Sequence, residues 1–358
     1  MTENNRKIIC SGIIIGGIAS FLVMFGNPVN MGVCIACFIR DTAGALGMHR
    51  VAAVQYIRPE IIGIVLGSFI VAAKNGEFRP KGGSSPLIRF CLGFFAMIGS
   101  LMFLGCPFRM IIRLAGGDLN AIPGIIGFAG GIAVGIYFLN RGYSLGRTYR
   151  QTKLAGMSFP VLQLILFGLL LWAPAFIFFT KTGGGPGGKH AAVIVSLAAG
   201  TVVGMLTQQT RFCMVGGIRD YILFRDKKLL LGSVAVLLSC LLCNVVLAAV
   251  TGTEYFKLGF VGQSIAHSDG IWNLLGMLLT GFACVLAGGC PLRQLVLAGE
   301  GNSDSAVTVL GLAVGAACAH NFGLASSAAG PTINGKIAVI AGILLTAVIA
   351  VYKTRKNR

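Results

Sequence analysis

"VLQLILFGLLLWAPAFIFF", residues 161–179, runs for 19 residues without a charge. An apolar run of that length reads as a membrane-spanning helix, placed here at 159–179. Working outward, nine more spans are expected at 8–25, 60–74, 86–104, 122–139, 190–207, 229–250, 270–288, 306–322 and 336–352. The composition agrees, with 55% hydrophobic residues and only 11% charged. The opening "MTENNRKIICSGIIIGGIASFLVMFG" has the basic lead and short apolar core of a signal peptide but no clear small-residue cleavage site, so it reads as a retained first span. The expected fold is an all-α polytopic membrane protein.

A net charge of +18 would suggest a nucleic-acid partner in a soluble protein, so its distribution decides its meaning. With the N-terminus in the cytoplasm, only Arg40, Arg50, Arg58, Arg109, Arg113, Lys181, Lys189, Lys257 and Lys336 fall outside. The other 20 of the 29 Lys and Arg, including Lys353, Arg355, Lys356 and Arg358 of the tail, fall inside. That bias is the positive-inside rule: the basic balance reports topology, with both termini cytoplasmic, and no nucleic acid.

Four segments between the spans are too short and polar to cross, yet too patterned for ordinary loops: "VCIACFIRDTAGALG" (33–47), "CPFRMIIRLAG" (106–116), "FCMVGGIRDYILF" (212–224) and "CPLRQLVLAG" (290–299). They read as re-entrant half-helices; the alternative is amphipathic helices lying on the surface. The segments also repeat. Cys34 with "IRD" at 39–41 matches Cys213 with "IRD" at 218–220, and "GCPFR" at 105–109 matches "GCPLR" at 289–293. Two motifs in the same order at nearly the same offset indicate an internal duplication. Four spans in the first half plus the unpaired span at 159–179 start the second half on the opposite side, so the repeats are inverted. The expected organisation is a first inverted repeat at 1–140, a linker with the unpaired span at 141–189, a second inverted repeat at 190–323, and a C-terminal span with a basic tail at 324–358.

The duplicated motif has a chemical sense. Cys106 caps a half-helix, Pro107 takes the first helical position where a missing N–H is harmless, and Gly116 ends it. Free N–H groups and the positive end of the helix dipole then point at the thiol and favour an anion there. Arg109 adds a cation one turn on. Cys290, Pro291, Arg293 and Gly299 repeat this from the other half. Arginines inside a membrane are costly unless they line a cavity, so Cys106, Cys290, Arg109 and Arg293 are expected on a substrate pathway. Cys34 and Cys213 join them through the looser repeat, while Cys37, Arg40 and Arg219 are accessory candidates. Arg40 with Asp41 and Arg219 with Asp220 are neighbours that do not face each other in a helix; they read equally as topology-fixing charges.

Other signals are weaker. Cys10, Cys91, Cys240, Cys243, Cys284 and Cys318 read as packing residues. "CIAC" at 34–37 has redox-pair spacing, but Gly216 stands where the second thiol would repeat. "GGGPGGKH" at 183–190 nearly spells a phosphate-binding loop; His190 replaces the Ser or Thr and no strand precedes it, so it reads as a flexible connector. His49, His267 and His320 lack metal-ligand spacing, and no metal or cofactor is expected.

The paired Gly-Cys-Pro-x-Arg motifs, with "RFCMVGGIRD" at 211–220, resemble the YeeE/YedE family of sulfur-transport membrane proteins over about residues 26–322. Within that family the chain is most similar to the YedE subgroup associated with selenium metabolism. The resemblance implies a bacterial inner-membrane permease of hourglass shape, in which substrate sulfur passes between cysteines through weak hydrogen bonds. The family's Gly-Cys cysteines correspond to Cys106 and Cys290. A third, in the first half-helix, corresponds best to Cys34, with Cys37 as the alternative. The subgroup implies a small inorganic selenium or sulfur anion as cargo; thiosulfate is the alternative.

The expected mechanism follows: an anion collects in an outer vestibule near Arg40 and Arg109, meets Cys106, crosses a dry constriction, and reaches Cys290 and Arg293. This is transport without catalytic residues. Two rivals remain, a membrane thiol oxidoreductase using Cys34 and Cys37, and a subunit delivering sulfur or selenium to a cytoplasmic carrier protein through the basic loops at 141–153 and 225–228.

Overall fold

The computed structural model describes residues 3–356, so Arg358 of the basic tail lies outside the described residues. The first half comprises α1 (Glu3–Met24), α2 (Ile35–Ala45), α3 (Pro59–Lys74), α4 (Pro86–Phe103), α5 (Pro107–Ala115) and α6 (Ala121–Asn140). After α7 (Lys153–Trp172) come α8 (Val193–Thr210), α9 (Met214–Phe224), α10 (Lys228–Thr251), α11 (Gly270–Ala287), α12 (Pro291–Gly299) and α13 (Ser303–Asn321), and α14 (Ile333–Lys356) closes the chain. Among the described residues, ten helical stretches are long and apolar enough to cross a membrane, one for each expected span. The fold is nearly all-α, as expected of a polytopic membrane protein. The exception is a small antiparallel ribbon of β1 (Lys81–Gly82) and β2 (Tyr149–Arg150).

Local chemistry sets the helix ends. Pro86, Pro107 and Pro291 occupy first-turn positions, where their fixed φ suits the helix. Asp269 caps α11 by accepting from the Trp272 N–H at 3.3 Å, and Asn302 caps α13 by accepting from Asp304 and Ser305. The unpaired span lies earlier than expected. α7 starts at Lys153, capped by Thr152, and stops at Trp172 because Ala173 turns left-handed (φ 45°) and Pro174 follows. The apolar residues at 173–179 fold back instead: the Phe178 N–H bonds to Ala45 O at 2.9 Å, and Ile177 is buried beside Tyr56 and Ile57.

Packing follows a reciprocal pattern. α1 lies on α10 while α3 lies on α8; α6 lies on α11 while α4 lies on α13; α5 meets α10 while α12 meets α3. Exchanging the helices of one half for their counterparts in the other maps each contact onto its mate, and maps α4 on α11 onto itself. Small residues permit the close crossings: a Cβ at Gly67 would strike the Thr201 backbone, and one at Gly204 the Ile64 backbone. The loops obey the same exchange. Gly259, in the α10–α11 loop, bridges in parallel to Asp118 after α5, and Lys81, in the α3–α4 loop, bridges in parallel to Asn302 after α12.

Candidate functional site

The four short helices α2, α5, α9 and α12 occupy the positions expected of half-helices, and a cysteine caps each N-terminus. Cys34 Sγ accepts from the Cys37 N–H at 3.4 Å, and Cys213 Sγ from the Gly216 N–H at the same distance. A capping sulfur leaves the rest of the first turn's N–H groups free to face a ligand.

The tips meet in pairs. Cys106 Sγ faces the N–H groups of Arg109, in its own helix, and of Ala36, in α2, with the Cys34 thiol beside it. Cys290 Sγ faces the N–H groups of Arg293, in its own helix, and of Met214, in α9, and lies 3.8 Å from Cys213 Sγ. Each Gly-Cys-Pro sulfur therefore sits where two half-helix N-termini converge, one from each repeated motif. All four thiols are buried, and all eleven cysteines are free. Phe108 meets Phe212 edge-on with centroids 6.4 Å apart. Phe108 is two residues past Cys106, and Phe212 immediately precedes Cys213.

The two motif arginines have different surroundings. Arg109 is wholly buried and donates to the carbonyls of Asn30 (2.9 Å), Leu104 and Ile265 (3.2 Å), and to Cys37 Sγ at 3.6 Å. Among the described residues it pairs with no carboxylate. Arg293 instead pairs with Glu300 at 3.2 Å, Glu300 also holds Arg211 at 3.1 Å, and Arg211 reaches Glu77 at 2.9 Å. Arg113, one turn beyond Arg109, is engaged by Asp118 at 2.6 Å and lies over the Phe103 ring.

Three sequence expectations need correction. Arg40 and Asp41 do face each other, at 2.7 Å, as do Arg219 and Asp220, at 2.8 Å, because the long guanidinium arm curls back around its own turn. Arg40 is buried against Asp41 rather than presented to an open vestibule, and Asp41 also holds Arg58 at 2.7 Å. Nor is the glycine-rich connector a free linker, since Arg58 binds the carbonyls of Pro186 (2.9 Å) and Lys189 (3.2 Å). Arg219 is partly exposed.

Sequence reading missed the loops that cover the tips. The α10–α11 loop supplies the Ile265 carbonyl to Arg109, and His267 Nε2 donates to Met102 O at 2.8 Å. This loop, Asn30 and Gly116 bound a polar cavity of about 210 Å³ that Lys257, Glu254 and Gln263 also line. Burial holds the His267 imidazole below its ordinary value. Among the described residues, no group of three or more His, Cys, Asp or Glu is arranged to hold a metal ion.

Residues 209–357 match the family model described as sulphur transport. That stretch carries α9 to α14, and with them Cys213, Cys284, Cys290 and Arg293. No curated protein matches the chain.

Proposed function

We propose that this chain is a bacterial inner-membrane permease, with both termini in the cytoplasm, that imports a small selenium- or sulfur-containing anion between two inverted repeats and serves selenium metabolism. The observation that carries the proposal is the convergence of two half-helix N-termini on each of Cys106 and Cys290. Such a tip offers N–H donors and a positive dipole end to an anion and a thiol to its chalcogen atom. The match to sulphur transport supports sulfur-related cargo, and the reciprocal packing supports reading 1–140 and 190–323 as inverted repeats.

In this mechanism the anion enters beside Arg109, whose charge no carboxylate among the described residues neutralises, and its chalcogen end is taken by Cys106 and Cys34. It passes the Phe108–Phe212 contact into the second pair of tips, is received by Cys290 and Cys213, and leaves past Arg293. Binding is divided between two stages, each sharing the anion among N–H and S–H donors and one arginine, which keeps either site weak enough to release its ligand. The test is uptake of labelled selenite, selenate and thiosulfate by proteoliposomes containing the purified protein. Flux of one anion names the cargo: selenite or selenate supports the selenium assignment, and thiosulfate corrects it. Absence of flux for all three in folded protein overturns the proposal.

A further inference from the structure

Two grooves on the sides of the molecule differ in one respect. The first, between α1 and α10, holds about 390 Å³; its lining is apolar apart from Ser20, includes the half-buried Cys243, and contains no charged residue. The second, between the start of α4 and the end of α14, holds about 530 Å³. Along the spans its walls are Leu87, Ile88 and the half-buried Cys91 on α4 and Val348 and Ile349 on α14. At one end the lining changes to Ser85, Lys353 and Lys356, with Tyr352 beside them, an aromatic of the kind that sits at headgroup level. From Val348 to Lys356 is eight residues of helix, about 12 Å, over which one continuous face passes from apolar to cationic.

These cations have no acid on either wall. Neither α4 nor α14 contains an Asp or Glu, and the single cation of α4, Arg89, is already engaged by Asp304. Among the described residues neither lysine pairs with a carboxylate. Lys353 is nonetheless only 9% exposed, a rare burial for a lysine without an acid. Its Nζ donates to Ser85 Oγ at 2.6 Å, and Ser85, held in the left-handed region (φ 50°), donates onward to Leu145 O at 2.7 Å. Lys356 lies three residues on, exposed on the same face, where two like charges repel unless an anion stands between them.

We propose that this groove binds an anionic phospholipid, its phosphate held by Lys353 and Lys356 and one acyl chain lying along the α4–α14 wall. Charge complementarity selects this occupant over a second copy of the chain, eight of whose eleven Asp and Glu pair with its own cations. On the proposed orientation the cationic end lies in the cytoplasmic leaflet, whose anionic lipids such clusters attract. The lipid ties α14 to α4, the helix that leads into the Gly105–Cys106 turn. None of this depends on what the chain transports.

The experiment uses the full chain, purified in maltoside detergent and freed of lipid. Dioleoyl phosphatidylglycerol and dioleoyl phosphatidylcholine are the probes, alike in their chains and different in net charge. Cys91 and Cys243 report on the two grooves through alkylation by N-ethylmaleimide, read peptide by peptide. Phosphatidylglycerol protects Cys91 at a concentration about thirtyfold below that needed of phosphatidylcholine, about fivefold for each lysine, and the two lipids act alike on Cys243. Equal protection of Cys91 by both lipids, or the same preference at Cys243, overturns the proposal. Lys356→Gln removes an exposed ammonium that makes no hydrogen bond among the described residues, so the fold is kept while the preference falls about fivefold. In the double variant Lys353→Gln, Lys356→Gln the preference disappears, and a wild-type preference in either variant overturns the assignment. Inorganic phosphate leaves Cys91 labelling unchanged. Protection by phosphate alone makes this a site for a free anion, and protection that grows with protein concentration in the absence of lipid makes it a contact between copies; either result overturns the lipid.

Discussion

Cys290→Ala and Cys106→Ala separate the stability of the site from its work. Each change deletes one buried sulfur from a side chain 1–2% exposed. A lost atom of that size costs about 1–2 kcal/mol in burial and cavity together, a small part of a total stability on the order of 5–15 kcal/mol, so both variants fold. Transport responds differently. Each thiol lies at the convergence of two helix N-termini, 3.8 Å from the Cys213 thiol in the case of Cys290, where an anion's chalcogen would take its hydrogen bond. A hydrogen bond to a charged partner contributes about 1.5–3 kcal/mol, so its loss at one stage slows uptake roughly 10- to 150-fold. The assay is initial-rate uptake into proteoliposomes, paired with thermal unfolding in detergent. Cys290→Ser, which keeps a donor of poorer match, falls between. If both alanine variants unfold normally and transport within about twofold of wild type, the thiols lie off the path and the relay is wrong.

Arg109→Lys keeps the charge but loses the fork that joins three carbonyls from three segments. Each carbonyl left bare costs about 1–3 kcal/mol, so the melting midpoint drops by several degrees and uptake falls, whereas wild-type melting would remove the clamp role. Asp41→Asn leaves Arg40 and Arg58 buried without their acid and destabilises by about 3–5 kcal/mol, while Asp220→Asn, in the partly exposed counterpart, changes stability by less than about 1 kcal/mol; denaturant titration of the two variants checks the contrast. His267 donates from Nε2 to Met102 O and accepts at Nδ1 from the Asp269 N–H at 3.3 Å, so the closed loop requires the neutral ring. With its value depressed by burial, the anchoring is present above about pH 6.5 and is lost as pH falls; hydrogen exchange over 252–269, corrected for intrinsic rates, rises on acidification in wild type and not in His267→Gln.

Spans and half-helices were legible because a bilayer imposes length and apolarity on any crossing segment, and because the proline of each Gly-Cys-Pro suits the first turn of a helix. The end of α7 was legible too and was passed over: Ala173-Pro174 is a helix-stop signal that an uninterrupted apolar run disguises. Partnerships between distant residues were not legible. Glu300 meets Arg211 across 89 residues, and the Ile265 carbonyl meets Arg109 across 156. Hydropathy and motif spacing carry no information about which loop folds over which tip.

The duplicated motif is symmetric in sequence and asymmetric in charge, and on the proposed mechanism that difference would give the pathway a direction. With the 184-residue offset between Cys106 and Cys290, the counterpart of Glu300 is Gly116 and the counterpart of Arg113 is Leu297. The first cluster therefore keeps a buried arginine whose described hydrogen-bond partners are carbonyls and a thiol, while in the second a carboxylate is paired with the arginine. An anion is held more firmly where the cation is bare and more loosely where it must displace Glu300. On the proposed orientation and mechanism the stronger site would face outward and the weaker one inward, dividing capture and release between two tips built on one Gly-Cys-Pro-x-Arg motif. Glu300→Gln would free Arg293 to hold the anion. It should therefore slow release more than entry, lowering steady uptake while increasing the amount of anion bound to the protein; unchanged binding with unchanged uptake would leave the asymmetry without a transport role.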